Sequence, residues 1–498
     1  MGNAIGRAVD ARDALAEIVR GEHVSDDPAT LAGFTRDHSD ELPIPPWFVV
    51  RPGDESQVRE LVGWANATGT PLVPVSSGPP HFRGDTVPGR PGAVVVDLRR
   101  MKAIRRIDRR NKLAVIEPGV TYAQLQPALA AEGLRVVTPL RPRAGKSVIA
   151  ALLEREPTLV PRYHYAFPEP LRNCGVVWGN GEATYTGEAG YGPPSLDAQW
   201  AAGMRQVDPK GPAQTDFVRL LSGAQGTLGI VTWASVKCTL LPETRKVVFV
   251  PAHRLEHLIG VCGRLQRLRL GEEVLLASGS LLASLMAPMR EADRSELPPW
   301  TLVVGLAGRA MFPEECLAVQ ETDVREVVAD LGREHGLEVA DGLPGIDSDG
   351  MLEILTGVSA EPYWRLADKG DCREVFFNAT LDKLPDLVAA ALWLAEESGY
   401  PAADVGVYIQ PQQQGVVHHC EFTLPFDPAD ADEAAAVRAF HTTAVERLAP
   451  AGAYFSRPYG PWANPVYARD GGSTAMLRTI KGVFDPNNVL NPGKLCFR

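Results

Sequence analysis

A strand–helix–strand unit that runs directly into a loop of small residues constrains the fold most strongly. Residues 47–50 (WFVV) form a β-type run, 51–54 a turn, and 55–69 an amphipathic helix with a glycine stop. A second strand, 71–75, leads into SSGPPHFRGDTVPG, which is too rich in Gly, Pro and Ser for regular structure. Consecutive backbone amides in such a loop form a nest for a pyrophosphate. No G-x-G-x-x-G follows a strand, so a Rossmann site is not indicated.

Two other segments have similar turn chemistry. Gly223, Gly226 and Gly229 recur at a spacing of three, which indicates a tight backbone around something flat or charged. The next residues, 230–241, predict one long strand. Near the end of the chain, 485–494 (DPNNVLNPGK) holds two proline turns around an apolar pair. Each segment alone is also compatible with an ordinary turn or a docked tail.

Composition narrows the class of protein. The net charge of −11 over 498 residues argues against nucleic acid as a partner. No apolar run reaches the roughly 18 residues of a membrane span, and the first residues lack the order of a signal peptide. The seven cysteines lie far apart without a CxxC pair. We therefore expect a cytoplasmic protein with reduced thiols, with no membrane partner and no structural metal.

In this order and spacing, the three segments resemble the FAD-linked oxidase family of the vanillyl-alcohol oxidase and p-cresol methylhydroxylase type. The resemblance extends from about residue 43 to the end. It implies an α+β fold in which a bipartite FAD-binding domain is interrupted by an antiparallel-sheet cap. We assign residues 1–243 to the FAD-binding domain (core about 43–243), 244–477 to the substrate-binding cap, and 478–498 to a return to the first domain.

The resemblance also implies which residues bind FAD. His81 is the one residue of the loop that could carry a covalent link, and the corresponding cap segment, 370–377, has neither His nor Tyr. We therefore expect noncovalent FAD. The residues assigned to the cofactor are Ser76, Ser77, Gly78, Pro79, Pro80, His81, Ala144, Gly145, Ser147, Gly223, Gly226, Thr227, Gly229, Ile230, Val231 and Asn491.

Lys146 lies in a turn that resembles the family's glycine-rich turn beside the flavin ring, where Ala144 and Lys146 replace glycines. A lysine there would favour negative charge on the reduced flavin and so assist hydride acceptance. The alternative is that Lys146 simply points outward.

The cap strand around VVHHCEF contributes two histidines. Residues two apart on a strand share a face, so His419 and Glu421 point together, away from His418 and Cys420. The resemblance places this pair of histidines in a strand that reaches towards the active site. A general base, a buried hydrogen-bonded histidine and a metal ligand remain open, although we find no third ligand for a metal.

Arg457 matches an arginine that binds phenolate in the phenol-oxidising members, and it suits a carboxylate, phenolate or enolate. Ser456 stands where those enzymes have a tyrosine, and Tyr459 is the candidate to supply the hydroxyl. The alternative is a surface arginine beside a structural aromatic cluster.

Two more positions depart from the phenol oxidases. Pro142 occupies the place of an acidic residue, and Leu159 the place of a tyrosine. Tyr163 and His164 are near enough in sequence to compensate. These departures argue against the phenolic quinone-methide mechanism.

The resulting function is an FAD-dependent oxidase or dehydrogenase that transfers a hydride from a small alcohol, hydroxy acid or phenol derivative to flavin N5. One alternative is a redox-neutral or ring-forming flavoenzyme of a specialised pathway. Another is a flavin-carrying electron-transfer subunit. The electron acceptor, oxygen or a carrier, stays open, and a homodimer is an expectation from the family alone.

Overall fold

The fold is taken from a computed structural model that describes residues 2–161, 170–211, 216–287, 289 and 291–497. Its strands form three main sheets and one short ribbon, and helices cover their faces. The expected α+β architecture is confirmed.

The first sheet contains the strand–helix–strand unit. Its four strands are β1 (Val24–Ser25), β2 (Phe48–Val50), β3 (Leu72–Val75) and β4 (Val94–Asp97), in the order β1-β2-β4-β3. β2, β4 and β3 are parallel, as a helical crossover between β2 and β3 requires. The crossover helix begins where the Asp54 side chain accepts from Gln57 N (3.0 Å) and ends at Gly69, with φ of 69°.

The second sheet is antiparallel and lies beside the first. Its strands are β5 (Ile104–Asp108), β6 (Leu113–Ile116), β8 (Leu171–Trp178), β9 (Ala183–Tyr185) and β10 (Gly229–Lys237), in the order β5-β6-β10-β8-β9. The long strand predicted for 230–241 breaks at Cys238. Beyond Lys237 its neighbours in the sheet end, and Thr239–Leu240 (β11) pairs with Leu134–Arg135 (β7) in a separate ribbon.

The third sheet has six antiparallel strands. They are β12 (Thr244–Ala252), β13 (Val274–Ser278), β14 (Trp300–Gly308), β15 (Asp371–Ala379), β16 (Gly406–Gln412) and β17 (Val417–Phe426), in the order β12-β14-β13-β16-β17-β15.

The helices divide between the two regions of the chain. Those before β12 are α1 (Gly2–Val19), α2 (Pro28–Thr35), α3 (Glu55–Thr68), α4 (Tyr122–Ala130), α5 (Val148–Leu153), α6 (Leu196–Ala201) and α7 (Phe217–Leu221). Those after it are α8 (Leu255–Leu268), α9 (Gly279–Leu285), α10 (Glu291–Glu296), α11 (Pro313–Leu331), α12 (Ser348–Thr356), α13 (Leu384–Glu397), α14 (Ala431–Leu448), α15 (Ala463–Tyr467) and α16 (Gly471–Phe484). None in the described ranges is long and apolar enough to cross a membrane.

The two faces of the six-stranded sheet have different neighbours. Cys420 and Phe422 pack into a large apolar core with residues of α8, α13 and α14. Tyr408, on the opposite face of β16, belongs to a second cluster that also contains Leu140 and Leu159 from the first half of the chain. Alternation along these strands thus turns every second residue towards the first half of the chain.

The end of the chain returns to the first sheet. Leu72 N donates to Val489 O (2.7 Å), and Asn491 N donates to Leu72 O (2.8 Å). Leu490 thereby forms a parallel bridge beside β3. This contact brings the C-terminal segment next to the small-residue loop that leaves β3.

Candidate active site

The loop after β3 is held against a second small-residue turn. Gly78 N donates to Gly145 O (3.0 Å), and Ser147 N donates to Oγ of Ser77 (3.1 Å). Nη1 of Arg143 donates to the carbonyl of Gly78 (2.6 Å). Two of the predicted FAD segments are therefore in direct contact.

The glycine-rich segment packs closely on both neighbouring sheets. At Gly226, φ is 67°, and a Cβ would lie 2.6 Å from Cγ of Pro74 in β3. At Gly229, a Cβ would lie 2.6 Å from Cγ2 of Val176 in β8. Only glycine fits at these two places without displacing the neighbouring strand.

Asn491 connects the small-residue loop that leaves β3 to the glycine-rich segment. Its Nδ2 donates to the carbonyls of Asp85 and Gln225, at 2.8 Å each. Behind it, the buried Nζ of Lys481 donates to Thr227 O (2.6 Å). The C-terminal segment thus fixes the spacing of the other two, although they lie far apart in sequence.

A cavity opens between these segments, and a second one adjoins it. The two share Pro74, Ser76, Asp85, Ala150 and Glu154. Of the residues assigned to FAD, those that line either cavity are Ser76, Ser77, His81, Gly226, Gly229, Ile230 and Val231. Those that belong to the same segments but not to these linings are Gly78, Pro79, Pro80, Ala144, Gly145, Ser147, Gly223, Thr227 and Asn491.

The cavity and the segments that surround it fit a dinucleotide such as FAD. Nε2 of His81 and Oδ1 of Asn491 are buried and have no hydrogen-bond partner among the described residues. Burial, together with Arg143 and Lys146, lowers the pKa of His81 to about 3, so this histidine is neutral. Burial and the nearby Glu154 raise the pKa of Asp85 to about 6. A bound ligand would supply partners for the two orphaned atoms.

A buried cluster of charges stands at one side of the cavity. Nη1 of Arg83 lies 2.6 Å from Oε2 of Glu154 and 2.9 Å from Oε1 of Glu156. Nζ of Lys146 lies 2.7 Å and 3.2 Å from the same two oxygens. Burial opposes ionisation of Glu156, but Lys146 and Arg83 outweigh it and lower its pKa to about 2. Lys146 is therefore directed inward, and the alternative of an outward-pointing lysine is wrong.

The cap contributes a second buried network, centred on Glu421. Its carboxylate accepts from Nη2 of Arg365 (2.5 Å) and Oη of Tyr408 (3.0 Å), and Nε2 of His419 lies 3.0 Å from Oε2. Burial opposes the charge of Glu421, but Arg365 and His419 hold its pKa below the ordinary value. Burial lowers the pKa of His419, and Glu421 offsets part of that effect. His419 is thus a neutral imidazole with a fixed orientation.

Arg457 lies next to this network and is 5% exposed, so it is not a surface residue. Its guanidinium carbon is 4.2 Å from the centre of the Phe376 ring. Both Nη atoms are buried without a hydrogen-bond partner in the described ranges. Burial and the charge of Arg83 lower its pKa, while the buried Tyr459 favours the cation. A guanidinium in this state is a strong site for an anion.

His418 lies on the other face of the cap sheet, with Cys420. It is fully buried, and neither ring nitrogen has a hydrogen-bond partner among the described residues. Burial lowers its pKa to about 4. Of the two predicted histidines, the structure therefore brings only His419 to the network of Glu421.

The three residues that differ from those of the phenol oxidases, Pro142, Leu159 and Ser456, have different surroundings. Pro142 lines the cavity, whereas Leu159 is buried in the apolar cluster beneath it. Oγ of Ser456 accepts from Nδ2 of Asn378 (3.3 Å). Tyr163 and His164, proposed to compensate, lie outside the described residues.

Six charged or phenolic residues of the site were not found from sequence. The sequence gives only weak signals for three of them: Arg83 lies within the small-residue loop, and Glu154 and Glu156 follow the apolar helix α5. The others come from cap segments with no motif, because their roles depend on contacts across the sheet. The six are Arg83, Glu154, Glu156, Arg365, Glu374 and Tyr408. Within the described ranges, no group of three or more His, Cys, Asp or Glu side chains is arranged to hold a metal.

Comparison with known proteins agrees with this geometry. Residues 46–155 match the family model of an FAD binding domain, and residues 463–495 match the FAD linked oxidases, C-terminal domain. A D-2-hydroxyglutarate dehydrogenase of Xanthomonas citri pv. viticola is 23% identical over 97% of this chain and 96% of its own length. The glycolate oxidase subunit GlcD of Bacillus subtilis is 27% identical over 48% of this chain and 47% of its own length.

Among solved structures, p-cresol methylhydroxylase with substrate bound superposes with a TM-score of 0.81 at 18% identity, covering 99% of this chain and 97% of that one. At that identity the superposition shows a shared fold. The matching FAD-binding model and the oxidoreductases among the relatives bear out the expected cofactor, FAD, and the expected enzyme class. Two segments of the chain thus match models of FAD-linked oxidases, and the chain as a whole has the fold of the vanillyl-alcohol oxidase and p-cresol methylhydroxylase type.

Proposed function

We propose that this FAD-linked oxidoreductase oxidises a small 2-hydroxy carboxylate to the 2-oxo acid. The observation that carries the proposal is the buried guanidinium of Arg457, whose two terminal nitrogens have no partner in the described ranges. An uncompensated buried charge is costly, and the carboxylate of a substrate would compensate it with two charge-assisted hydrogen bonds.

The base for the substrate hydroxyl would be His419. Because its pKa is lowered by burial, the imidazole is neutral and able to accept a proton. Glu421 holds the ring through Nε2 and favours the imidazolium that forms. The charge of Arg457 is near enough to influence the pKa of His419, so both side chains could contact one small substrate, Arg457 at its carboxylate and His419 at its hydroxyl.

FAD would be held by the small-residue loop after β3, the 143–147 turn and the glycine-rich segment, which surround the cavity. When bound, it accepts the hydride that the substrate carbon loses. The cation of Arg143 in the wall favours an anionic ligand. We propose noncovalent binding, since the Nε2 of His81 is buried; flavin that stays on the protein after acid precipitation would contradict this.

The domain limits of 1–243, 244–477 and 478–498 are part of the same proposal. The strands of the six-stranded sheet lie between Thr244 and Phe426, which supports a separate cap. The bridge of Leu490 to Leu72 supports a C-terminal return. Limited proteolysis of the FAD-loaded protein, followed by mass determination, would test whether cuts concentrate near residues 243 and 477.

A phenol derivative is the second candidate substrate, because the fold is shared with p-cresol methylhydroxylase. Arg457 would then bind a phenolate. The chain lacks the tyrosine, acid and second tyrosine that the phenol oxidases place at Ser456, Pro142 and Leu159. The full-length similarity to D-2-hydroxyglutarate dehydrogenase further favours the 2-hydroxy acid.

Anaerobic mixing of the FAD-loaded protein with each class of substrate separates the two. We expect 2-hydroxy carboxylates to bleach the flavin and 4-alkylphenols to leave it oxidised. Bleaching by 4-alkylphenols alone would contradict the proposal. No bleaching by either class, with product formed from a pathway intermediate, would indicate redox-neutral chemistry, and bleaching only through a protein partner would indicate an electron-transfer subunit. Reoxidation of the reduced protein by air then decides between oxygen and a carrier as the acceptor.

A further inference from the structure

A strongly basic face lies on the FAD-binding half, away from the residues used above. Eight of the fourteen residues from 99 to 112 (RRMKAIRRIDRRNK) are Arg or Lys, although the whole chain has a net charge of −11. Arg109, Arg110 and Lys112 occupy the turn between β5 and β6 and are exposed. β5 is an edge strand of its sheet, so this turn faces outward.

The tertiary structure adds two more cations to this turn. Lys237 pairs in register with Leu113, and Val236 pairs with Leu171, so Lys112, Arg172 and Lys237 lie at the same end of the sheet. Burial lowers the pKa of Lys237, and the positive charges of Arg172 and Lys112 lower it further. We call the exposed Arg109, Arg110 and Lys112 the basic face; Arg172 and Lys237 lie beside it and are half-buried.

The two carboxylates beside the turn, Asp108 and Glu117, have other partners. Asp108 accepts from Asn111 (2.9 Å) and lies 3.4 Å from Arg205. Glu117 pairs with Arg105 at 3.0 Å. Within the described part of the chain, neither acid forms an ion pair with Arg109, Arg110 or Lys112.

Two exposed leucines adjoin the basic face. Leu240 and Leu241 are 44% and 41% exposed and lie three and four residues after Lys237. Leu241 N donates to Gly133 O (2.9 Å), and Nη2 of Arg109 is 3.8 Å from the position of a Cβ on Gly133. Large apolar side chains and guanidinium groups thus share one surface.

We propose that the basic face and Leu240–Leu241 attach the protein peripherally to an anionic phospholipid surface. Clustered Lys and Arg side chains are attracted to anionic headgroups, and adjacent apolar side chains enter the boundary of the acyl chains. Since the rest of the chain is acidic, it would be repelled from such a surface, and the protein would bind in a single orientation. An acidic protein could bind the basic face through electrostatic attraction alone. The exposed leucines beside it therefore favour a lipid surface as the partner.

This proposal departs from the expectation of a protein without membrane contact, which depended on the absence of a spanning segment. Attachment at the surface needs no such segment. It is also independent of the substrate proposed above.

The test is co-sedimentation of the FAD-loaded protein with vesicles of phosphatidylcholine, alone or mixed with phosphatidylglycerol. We expect binding to the mixed vesicles only, and release at high salt. Arg109→Glu with Arg110→Glu should weaken binding by roughly tenfold or more. Leu240→Ser with Leu241→Ser should weaken it at unchanged charge.

The matched control is Arg264→Glu with Arg267→Glu on α8, two exposed arginines beside the exposed Leu268. It should bind as the wild type does, and all variants should keep their flavin absorption and circular dichroism. Wild-type protein that stays in the supernatant at low salt would overturn the proposal. An equal loss of binding in the control variant would also overturn it. Binding to polyglutamate that the leucine substitutions leave unchanged would overturn it as well, and would indicate an acidic protein as the partner.

Discussion

Nε2 of His419 lies 3.0 Å from Oε2 of Glu421, and both side chains are at most 3% exposed. The carboxylate is shared with Arg365 and Tyr408, so its position is fixed from the far side. This arrangement gives His419 a set ring orientation and a neighbour that stabilises its protonated form.

Replacing Glu421→Gln should slow reduction of the flavin by substrate roughly tenfold to 10²-fold, since the base loses its orienting partner. Loss of the negative charge should also move the acid limb of the pH profile to lower pH, because Glu421 raises the pKa of His419. Stopped-flow reduction across a range of pH measures both. Tyr408→Phe, which removes one donor and keeps the carboxylate, is the control and should leave the acid limb in place. An unmoved limb in Glu421→Gln would exclude His419 as the base.

Replacing Arg457→Met should raise the dissociation constant of a 2-hydroxy carboxylate about 10- to 100-fold, because a charge-assisted hydrogen-bonded pair is lost. Arg457→Lys keeps the charge and loses the two-pronged geometry, so an intermediate effect is expected. Anaerobic titration followed by flavin absorption gives the constants. If Arg457→Met binds the acid as tightly as the wild type, another group holds the carboxylate.

Replacing Asn491→Asp should weaken the binding of FAD. The substitution keeps the size of the side chain and its tolerance for the φ of 41°, but the carboxylate cannot donate to Asp85 O and Gln225 O. Two buried acceptors would lose their donor, at a cost of about 1–3 kcal/mol each. Release of fluorescent FAD on dilution measures the effect. Asn488→Asp, at another left-handed position of the same segment, tests whether any charge there has the same result.

His418 should make the fold sensitive to acid. Its pKa is about 4 in the folded protein against 6.5 ordinarily, so the unfolded chain takes up the proton first and stability falls as pH drops below about 6.5. Between about pH 7.5 and about pH 5 this one residue should cost about 2 kcal/mol. Urea unfolding at the two pH values measures the free energy of unfolding. In His418→Leu, the loss of stability between the two pH values should be smaller than in the wild type by about the amount that His418 contributes. An identical pH dependence in the variant would mean that other groups set it.

The three motifs with glycine or proline turns could be found from sequence because their chemistry is local. Gly226 has a φ of 67° and packs against Pro74, and Asn491 has a φ of 41°. Such backbone conformations favour particular residue types, so the motif is visible in the sequence itself. The sharing of a face by His419 and Glu421 was also predictable, and it is confirmed, since strand alternation depends on neighbours along the chain alone. The assignment of a catalytic role to these residues stays a prediction.

By itself, the sequence determined the cofactor class, the strand–helix–strand start and the composition of the loops around the cavity. Only the tertiary structure decided that Lys146 turns inward to two glutamates, that Glu421 meets Arg365, and that His418 faces the helices. The physical reason is range: backbone conformation follows from adjacent residues, whereas the partner of a buried charge is set by strand order and sheet packing. The contact of Arg365 with Glu421 joins residues 56 positions apart, and no periodicity in the chain records it.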